Sequence, residues 1–394
     1  MSGEAAIKPM RILFLVPCGS FIPSGAVRVL QHLGRFRERG VRPTVISYYS
    51  PFAHRCRRQV RALRARHGGF LAGTFLSVGE WLVQWFDDRR TRAVERLLVL
   101  LAPFHDAVFL QWVLLPEPLI GKLKATGVPV VFDFDDAVFL KNPQRFETTV
   151  RNAWKVIAGN RFNLEYASRW NPEAVCIPSA VDMERYPPPG GKAESAERGR
   201  VRTIGWIGSG SAVPYLGMLV APLRELAREG RSVELLVAGT VDAPVPLPAF
   251  EGVSVTEVAA YSGDGIPTLV SRMDIGVMPL EDGPWERGKG ALKAVVYMAG
   301  SVPTVASRVG EAVRLIRDGE NGFLASTPQE WKEKLSALLD DPGLRRRIGE
   351  NGHRSVEEEY SATRCFERMW MEVFSLLPGR SRRRGAAGSP SGGG

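Results

Sequence analysis

Cysteine and histidine are scarce in this sequence. Four cysteines (Cys18, Cys56, Cys176, Cys365) and five histidines are scattered over 394 residues. They form no CxxC pair and no Cys/His spacing of the zinc kind. This excludes a disulfide scaffold, points to a reducing, cytoplasmic setting, and leaves no metal and no cofactor to be expected. Long hydrophobic runs are also missing. The longest apolar stretch, 97–116, is broken by Pro103, His105, Asp106 and Gln111, so it reads as a helix end followed by a buried strand, not a membrane span. No secretory signal is expected, because the N-terminal region runs directly into the strand pattern Arg11-Ile-Leu-Phe-Leu-Val16. No repeat of solenoid period is present. The first strand is not followed by GxGxxG, and no acid placed for a ribose follows about 20 residues on, which argues against NAD binding.

What is there is a globular composition, 44% hydrophobic and 24% charged. The chain is too long for one core, since cores stop growing beyond ~250–300 residues, so two domains are expected. The charge is uneven. Residues 1–185 hold 26 basic and 16 acidic side chains, whereas residues 186–394 hold 26 of each. Only the first half therefore has reason to meet something anionic.

Short apolar runs alternate with helical patterns. Strands are expected at 11–17, 43–48, 107–111, 129–132, 155–158 and 174–177, and a second set at 203–207, 233–237, 253–257, 275–278 and 304–306. Strands alternating with helices mean parallel sheets with crossover helices, and two sets mean two doubly wound α/β domains. The Pro/Gly-rich stretch from Tyr186 to Gly191 and the charged residues up to Arg200 read as the connection. Residues 378–394 read as a disordered basic tail.

Five stretches carry possible chemistry. The strand 203–207 runs into Gly208-Ser-Gly-Ser211 and then a helical pattern near Val213–Arg228; free N–H groups at such a turn suit an anion, although a plain tight turn explains the glycines equally well. In Pro284-Trp-Glu-Arg-Gly-Lys-Gly-Ala-Leu-Lys293, a helix starting near Gly288–Gly290 would set Lys289 and Lys293 at i,i+4 in its first turns. Cations there oppose the helix dipole, which makes sense if a diphosphate sits between them. Phe132-Asp-Phe-Asp-Asp136 ends an apolar run where a strand meets its loop. Three acids there repel one another, and one of Asp133, Asp135 and Asp136 becomes a candidate general base, the alternative being a helix cap and solvated charge. Gly19 follows the first strand, and Gly25 with Arg28 opens a helix that meets either an acceptor or nothing at all. Finally, 54–67 holds six arginines and is followed by Phe70, Leu71, Phe75, Leu76, Trp81, Leu82, Trp85 and Phe86. Arginine beside bulky rings suits an anionic membrane surface; no nucleic-acid motif accompanies the patch, so nucleic acid is not an expected partner.

Taken in order, Phe132-Asp-Phe-Asp-Asp136, Ile157-Ala-Gly-Asn160, Ile177-Pro-Ser-Ala-Val-Asp182, Ile204-Gly-Trp-Ile-Gly-Ser209, Gly288-Lys-Gly-Ala-Leu-Lys293, Tyr297-Met-Ala299, Val302-Pro-Thr-Val-Ala-Ser-Arg-Val-Gly-Glu311 and Asp318-Gly-Glu-Asn-Gly-Phe-Leu324 resemble the family 4 glycosyltransferases over nearly all of the chain to about Leu377. The resemblance implies the GT-B architecture: two Rossmann-like domains facing a cleft, an acceptor domain (1–182), a nucleotide-sugar donor domain (183–359) and a last helix (360–377) crossing back to the first domain. It implies sugar transfer with retention, mostly without a metal. With the basic and aromatic stretch added, the leading expectation is a cytoplasmic transferase, peripheral on the inner face of the cell membrane, that moves a sugar from a nucleoside-diphosphate sugar to a glycan or lipid-linked acceptor in polysaccharide or glycolipid synthesis. Gly208, Ser209, Gly210, Lys289, Lys293, Val309, Gly310 and Glu311 would line the diphosphate, and Gly288 belongs to the same turn. The family's Glu-x7-Glu signature falls on Gly288 and Val296, neither of them acidic, and Glu281, Asp282 or Glu286 is the expected substitute. The other classes considered are a non-catalytic GT-B partner subunit and a sugar-nucleotide epimerase of similar fold.

Overall fold

The structure, a computed structural model, describes residues 9–18, 23–53, 55–56, 70–186, 201–241 and 243–378, with the backbone alone at 23 and 70–78. Two compact units emerge. One comprises the chain up to Pro178 together with the segment from Cys365 onward, and the other is Ser179–Arg364.

The first unit is built on six parallel strands: β1 (Met10–Val16), β2 (Val41–Ser47), β3 (Ala107–Gln111), β4 (Val130–Phe134), β5 (Lys155–Ala158) and β6 (Ala174–Cys176), in the order β2-β1-β3-β4-β5-β6. The near-continuous apolar sequences of β1, β3 and β4 follow from burial on both faces. Helices start where the sequence supplies a cap: Asn160 accepts from Asn163 N–H at 2.8 Å to open Arg161–Ser168. The last helix, Ala362–Glu372, and the turn after it deliver Phe366 and Phe374 edge-on to Phe36, with Phe374 also stacked on Phe109. Such ring pairs lock the segment from Cys365 onward into this core.

The second unit repeats the plan: β7 (Arg202–Ile207), β8 (Val233–Ala238), β9 (Ser254–Val258), β10 (Ile275–Met278), β11 (Thr304–Ser307) and β12 (Phe323–Ala325), in the order β12-β11-β10-β7-β8-β9. β12 is absent from the sequence reading because three residues show no periodicity.

Three expectations need correction. The change of unit comes at Pro178/Ser179, four residues before 182, and the chain returns at Cys365 instead of 360. Val181 explains both shifts: its N–H donates to Tyr360 O (3.0 Å) and its carbonyl accepts from Ala362 N–H (2.7 Å), so this strand-like pair closes the second unit on itself. The stretch after Gly210 is a 3-10 helix to Leu219, and only Val220–Arg228 is α-helical; Pro214, which lacks an N–H, falls inside it. Lys289 and Lys293 do not share a helix. The helix Pro284–Arg287 ends at Gly288, Ala291 takes a left-handed φ of 53°, and the next helix starts at Leu292. The expected basic segment 54–67, apart from Arg55 and Cys56, and the tail beyond 378 lie outside the described residues.

Candidate functional site

A doubly wound sheet binds ligands outside the carboxyl ends of its strands, at the point where the strand order reverses. In the second unit the chain goes outward through β7, β8 and β9 and then returns to β10 on the other side of β7. The switch point therefore lies between β7 and β10, with the loop after β11 beside it. These three loops hold every expected donor-side residue.

The β7 loop is shaped from below. Ile207 N–H donates to Tyr297 Oη at 2.8 Å, and Tyr261 Oη donates to Gly208 O at 2.9 Å. Behind it stands Gly239, with φ of 93°, where a Cβ would lie 2.0 Å from Gly208 O; only glycine lets the two backbones approach this closely. Ser209 is exposed and Gly210 is buried.

After β10, Glu286 accepts from Tyr215 Oη. Burial, followed by this bond to Glu286, pushes the Tyr215 phenol upward, so it stays protonated as a donor. Of the two other expected acids, Asp282 is held by Arg287 at 2.6 and 2.9 Å and Glu281 is exposed. Val296 is packed in the core, 7% exposed. Gly288 is buried at the helix end. Lys289 Nζ lies 5.7 Å from the Trp285 ring centre, and Lys293 Nζ lies 5.7 Å from that of Trp206, so both cations are steered by rings while remaining partly exposed. The two lysines thus lie on either side of a turn, Lys289 before Ala291 and Lys293 in the helix after it, and do not share the expected helix face.

After β11, Gly310 has φ of 58°, and a Cβ there would lie 2.9 Å from Arg287 O. The Val309–Gly310 turn therefore packs against the end of the helix that carries Glu286. Glu311 is 4% exposed; its carboxylate accepts from Arg314 Nε (2.7 Å) and Tyr360 Oη (2.9 Å), so its charge is turned inward.

In the first unit the order reverses between β1 and β3. Gly19 lies outside the described residues, and Gly25 is buried in the helix Pro23–Arg28. Arg28 is 3% exposed and engages Asp133, which is 0% exposed because β4 runs on to Phe134 and places it inside the strand. Burial pushes the Asp133 carboxyl up against the pull of Arg28. The three acids thus differ in setting: Asp133 faces a guanidinium inside the strand, with the charge of Asp135 adding to the upward push on its carboxyl, whereas Asp135 and Asp136 are partly exposed at the strand end. Two residues that the sequence did not single out join them. Gln111 Nε2 donates to Ser24 Oγ at 2.8 Å, and Ser24 Oγ donates to Asp135. Trp112 follows with φ of 58°, a rare conformation for a bulky residue and one that gathers at functional sites; its indole N–H and Gln111 Oε1 find no hydrogen-bond partner among the described residues. The only available signal was a glutamine closing an otherwise apolar strand. A shallow depression of about 280 Å³ beside Lys124, Arg151 and Trp154 opens at the opposite ends of β4 and β5, away from this point.

Known proteins resemble this chain in sequence and in fold. Residues 201–341 match the family described as Glycosyl transferases group 1. The capsular polysaccharide biosynthesis glycosyltransferase CapM of Staphylococcus aureus is 24% identical over 180 residues, 44% of this chain and 45% of CapM. The alpha-D-kanosaminyltransferase of Streptomyces kanamyceticus is 30% identical over 173 residues, 42% of either protein. The chain spans less than half the length of the curated relatives it matches. Among solved structures, Anabaena HepE in complex with UDP-glucose superposes with a TM-score of 0.62 at 16% identity, covering 93% of this chain and 100% of its own. The fold is that of the GT-B glycosyltransferases, two Rossmann-like units. The match to the glycosyl transferases group 1 family lies within its second unit.

Proposed function

We propose that this protein is a retaining glycosyltransferase of the family 4 kind, which moves a sugar from a nucleoside-diphosphate sugar to a glycan or lipid-linked acceptor at the cytoplasmic face of a membrane. One observation carries the reading. In the unit that matches the transferase family, Gly208–Gly210, Glu286 with Tyr215, Lys289, Lys293 and the Val309–Gly310 turn all follow β7, β10 or β11, the strands at and beside the switch point. Charge develops on the leaving diphosphate, so cations and backbone N–H groups placed beside it lower the barrier most. Lys289 and Lys293 supply the cations. Glu286, oriented by Tyr215, takes the place of the acid missing at Val296 as partner of a donor hydroxyl. On the acceptor side the role falls to the partly exposed Asp135, steadied by Ser24, and to Asp136.

A thermal-shift series with UDP, GDP, ADP, CMP and dTDP, with and without their sugars, tests the donor site. A nucleotide at 100 Kd stabilises the fold by about 2.7 kcal/mol. One base alone is expected to raise Tm, and its sugar nucleotide is then the donor for a transfer assay. The absence of an acid at both Gly288 and Val296 favours one second reading, a non-catalytic partner subunit. Nucleotide binding without transfer to any acceptor would establish that reading in place of the first.

A further inference from the structure

Among the described side chains of the long helix Phe70–Leu101, those that fasten it lie along one side. Asp87 accepts from Ser50 N–H at 2.8 Å and Glu95 accepts from Tyr48 Oη at 2.6 Å. Arg90 donates to the carbonyls of Ser47 and Tyr48 at 2.9 and 3.0 Å, and Val94 and Leu98 are buried below it. At ~100° per residue these side chains point one way and fix the rotation of the helix about its axis.

The opposite side is unusual for a face turned to water. Trp81 (63% exposed), Phe86 (65%) and Leu100 (67%) stand out from it with Leu82, Trp85 and Leu97. Arg89, Arg92 and Arg96 are interleaved with them and exposed. All nine fall within an arc of about 160°. The four acids of 79–101 (Glu80, Asp87, Asp88 and Glu95) lie outside that arc. The guanidinium of Arg89 sits 4.1 Å from the centre of the Trp85 ring, a cation laid on an aromatic face. The sequence places six further arginines at 55–66, just ahead of the helix. Amphipathic rings interleaved with cations are what the boundary between anionic headgroups and acyl chains selects: rings settle at the boundary, and arginine reaches phosphate.

We infer that this face docks on an anionic lipid bilayer, with the helix lying along the surface, Trp81, Trp85 and Phe86 at the acyl boundary, and Arg89, Arg92 and Arg96 at the headgroup phosphates. The inference rests on the membrane side of the proposed function and needs nothing from the donor site, so lipid binding and nucleotide binding fail separately. The test is sedimentation of the full chain with phosphatidylcholine vesicles and with vesicles that also contain phosphatidylglycerol. Binding to the anionic vesicles is expected to be on the order of tenfold tighter and to weaken with added salt. Replacing Trp81, Trp85 and Phe86 together by serine should lower it by a further factor of about ten or more, and Arg89→Gln, Arg92→Gln or Arg96→Gln by about fivefold each, with Tm and the nucleotide-induced shift unchanged. Equal binding to both vesicle types, or unaltered binding by these variants, would overturn the inference. So would a concentration-dependent dimer, seen by sedimentation velocity, that the triple serine variant abolishes, because the face would then belong to a second copy of the chain.

Discussion

Arg28 and Asp133 meet as a forked ion pair inside the first unit. Arg28 Nε lies 3.1 Å from one carboxylate oxygen, a second guanidinium nitrogen bonds the other oxygen, and a third donates to Ile177 O at 2.7 Å. With side chains 2% and 0% exposed, neither group is available to solvent. The pair ties the helix after β1 to β4 and to the residue that follows β6. Removing one partner of a buried pair strands the other charge. Arg28→Met or Asp133→Asn should therefore each lower stability by about 3–5 kcal/mol in urea denaturation. The double replacement Arg28→Met/Asp133→Leu should cost less than the two singles combined. Losses below about 1 kcal/mol in both singles would show that the pair does not hold the unit together.

Lys289→Ala and Lys293→Ala should each reduce kcat/KM by about 2–4 kcal/mol of transition-state stabilisation, with Tm little changed. Each lysine is partly exposed over a ring, so truncation leaves no buried charge behind. Wild-type rates in both variants would remove the lysines from the chemistry.

Tyr215, in the 3-10 helix after β7, and Glu286, in the short helix after β10, are joined by one hydrogen bond. If Glu286 receives a donor hydroxyl, Glu286→Gln should weaken donor binding by about 1.5–3 kcal/mol, the range for a hydrogen bond to a charged group. The loss should appear in the KM for the donor more than in kcat, and Tyr215→Phe should give a smaller loss of the same kind. Steady-state kinetics at fixed acceptor separates the two parameters. An unchanged donor KM in Glu286→Gln would rule the contact out.

His32 is buried with its ring stacked on Phe366. Burial, and then the charges of Arg35 and Arg28, hold its pKa down from 6.5 to about 3. From about pH 3 to 6.5 the folded ring is therefore neutral while the unfolded one is protonated. Between these two values the unfolded state binds the extra proton, so stability is complete above about pH 6.5 and falls as pH drops toward 3, by up to about 1.4 kcal/mol per pH unit. His32→Phe should flatten this part of the profile in urea unfolding at pH 7, 6 and 5. Identical slopes in the two proteins would assign the acid sensitivity to other groups.

The two parallel sheets were legible because strands buried on both faces are largely apolar: β3, β5 and β10 are buried at every position and carry between them only Gln111 and Lys155 as polar residues. The glycines and lysines that follow β7, β10 and β11 also leave a sequence signal, because they break the apolar runs. What was not legible depends on partners far away in the chain. Asp133 looks the same as Asp135 in sequence, and only Arg28, 105 residues earlier, separates their environments. Gln111 becomes notable only when Ser24 lies beside it. The break between Lys289 and Lys293 rests on a left-handed alanine, a conformation that propensity assigns to glycine or asparagine.

The insertion of Ser179–Arg364 between the two parts of the first unit has a consequence for synthesis. A chain leaving the ribosome delivers all six strands of the first sheet early, yet the rings that cover Phe36 and Phe109 arrive only with Phe366 and Phe374, after the entire second unit has emerged. The later-made unit can therefore reach its final packing first, while the earlier one waits with an uncovered aromatic patch. That interval is when a nascent chain is most exposed to association with its neighbours.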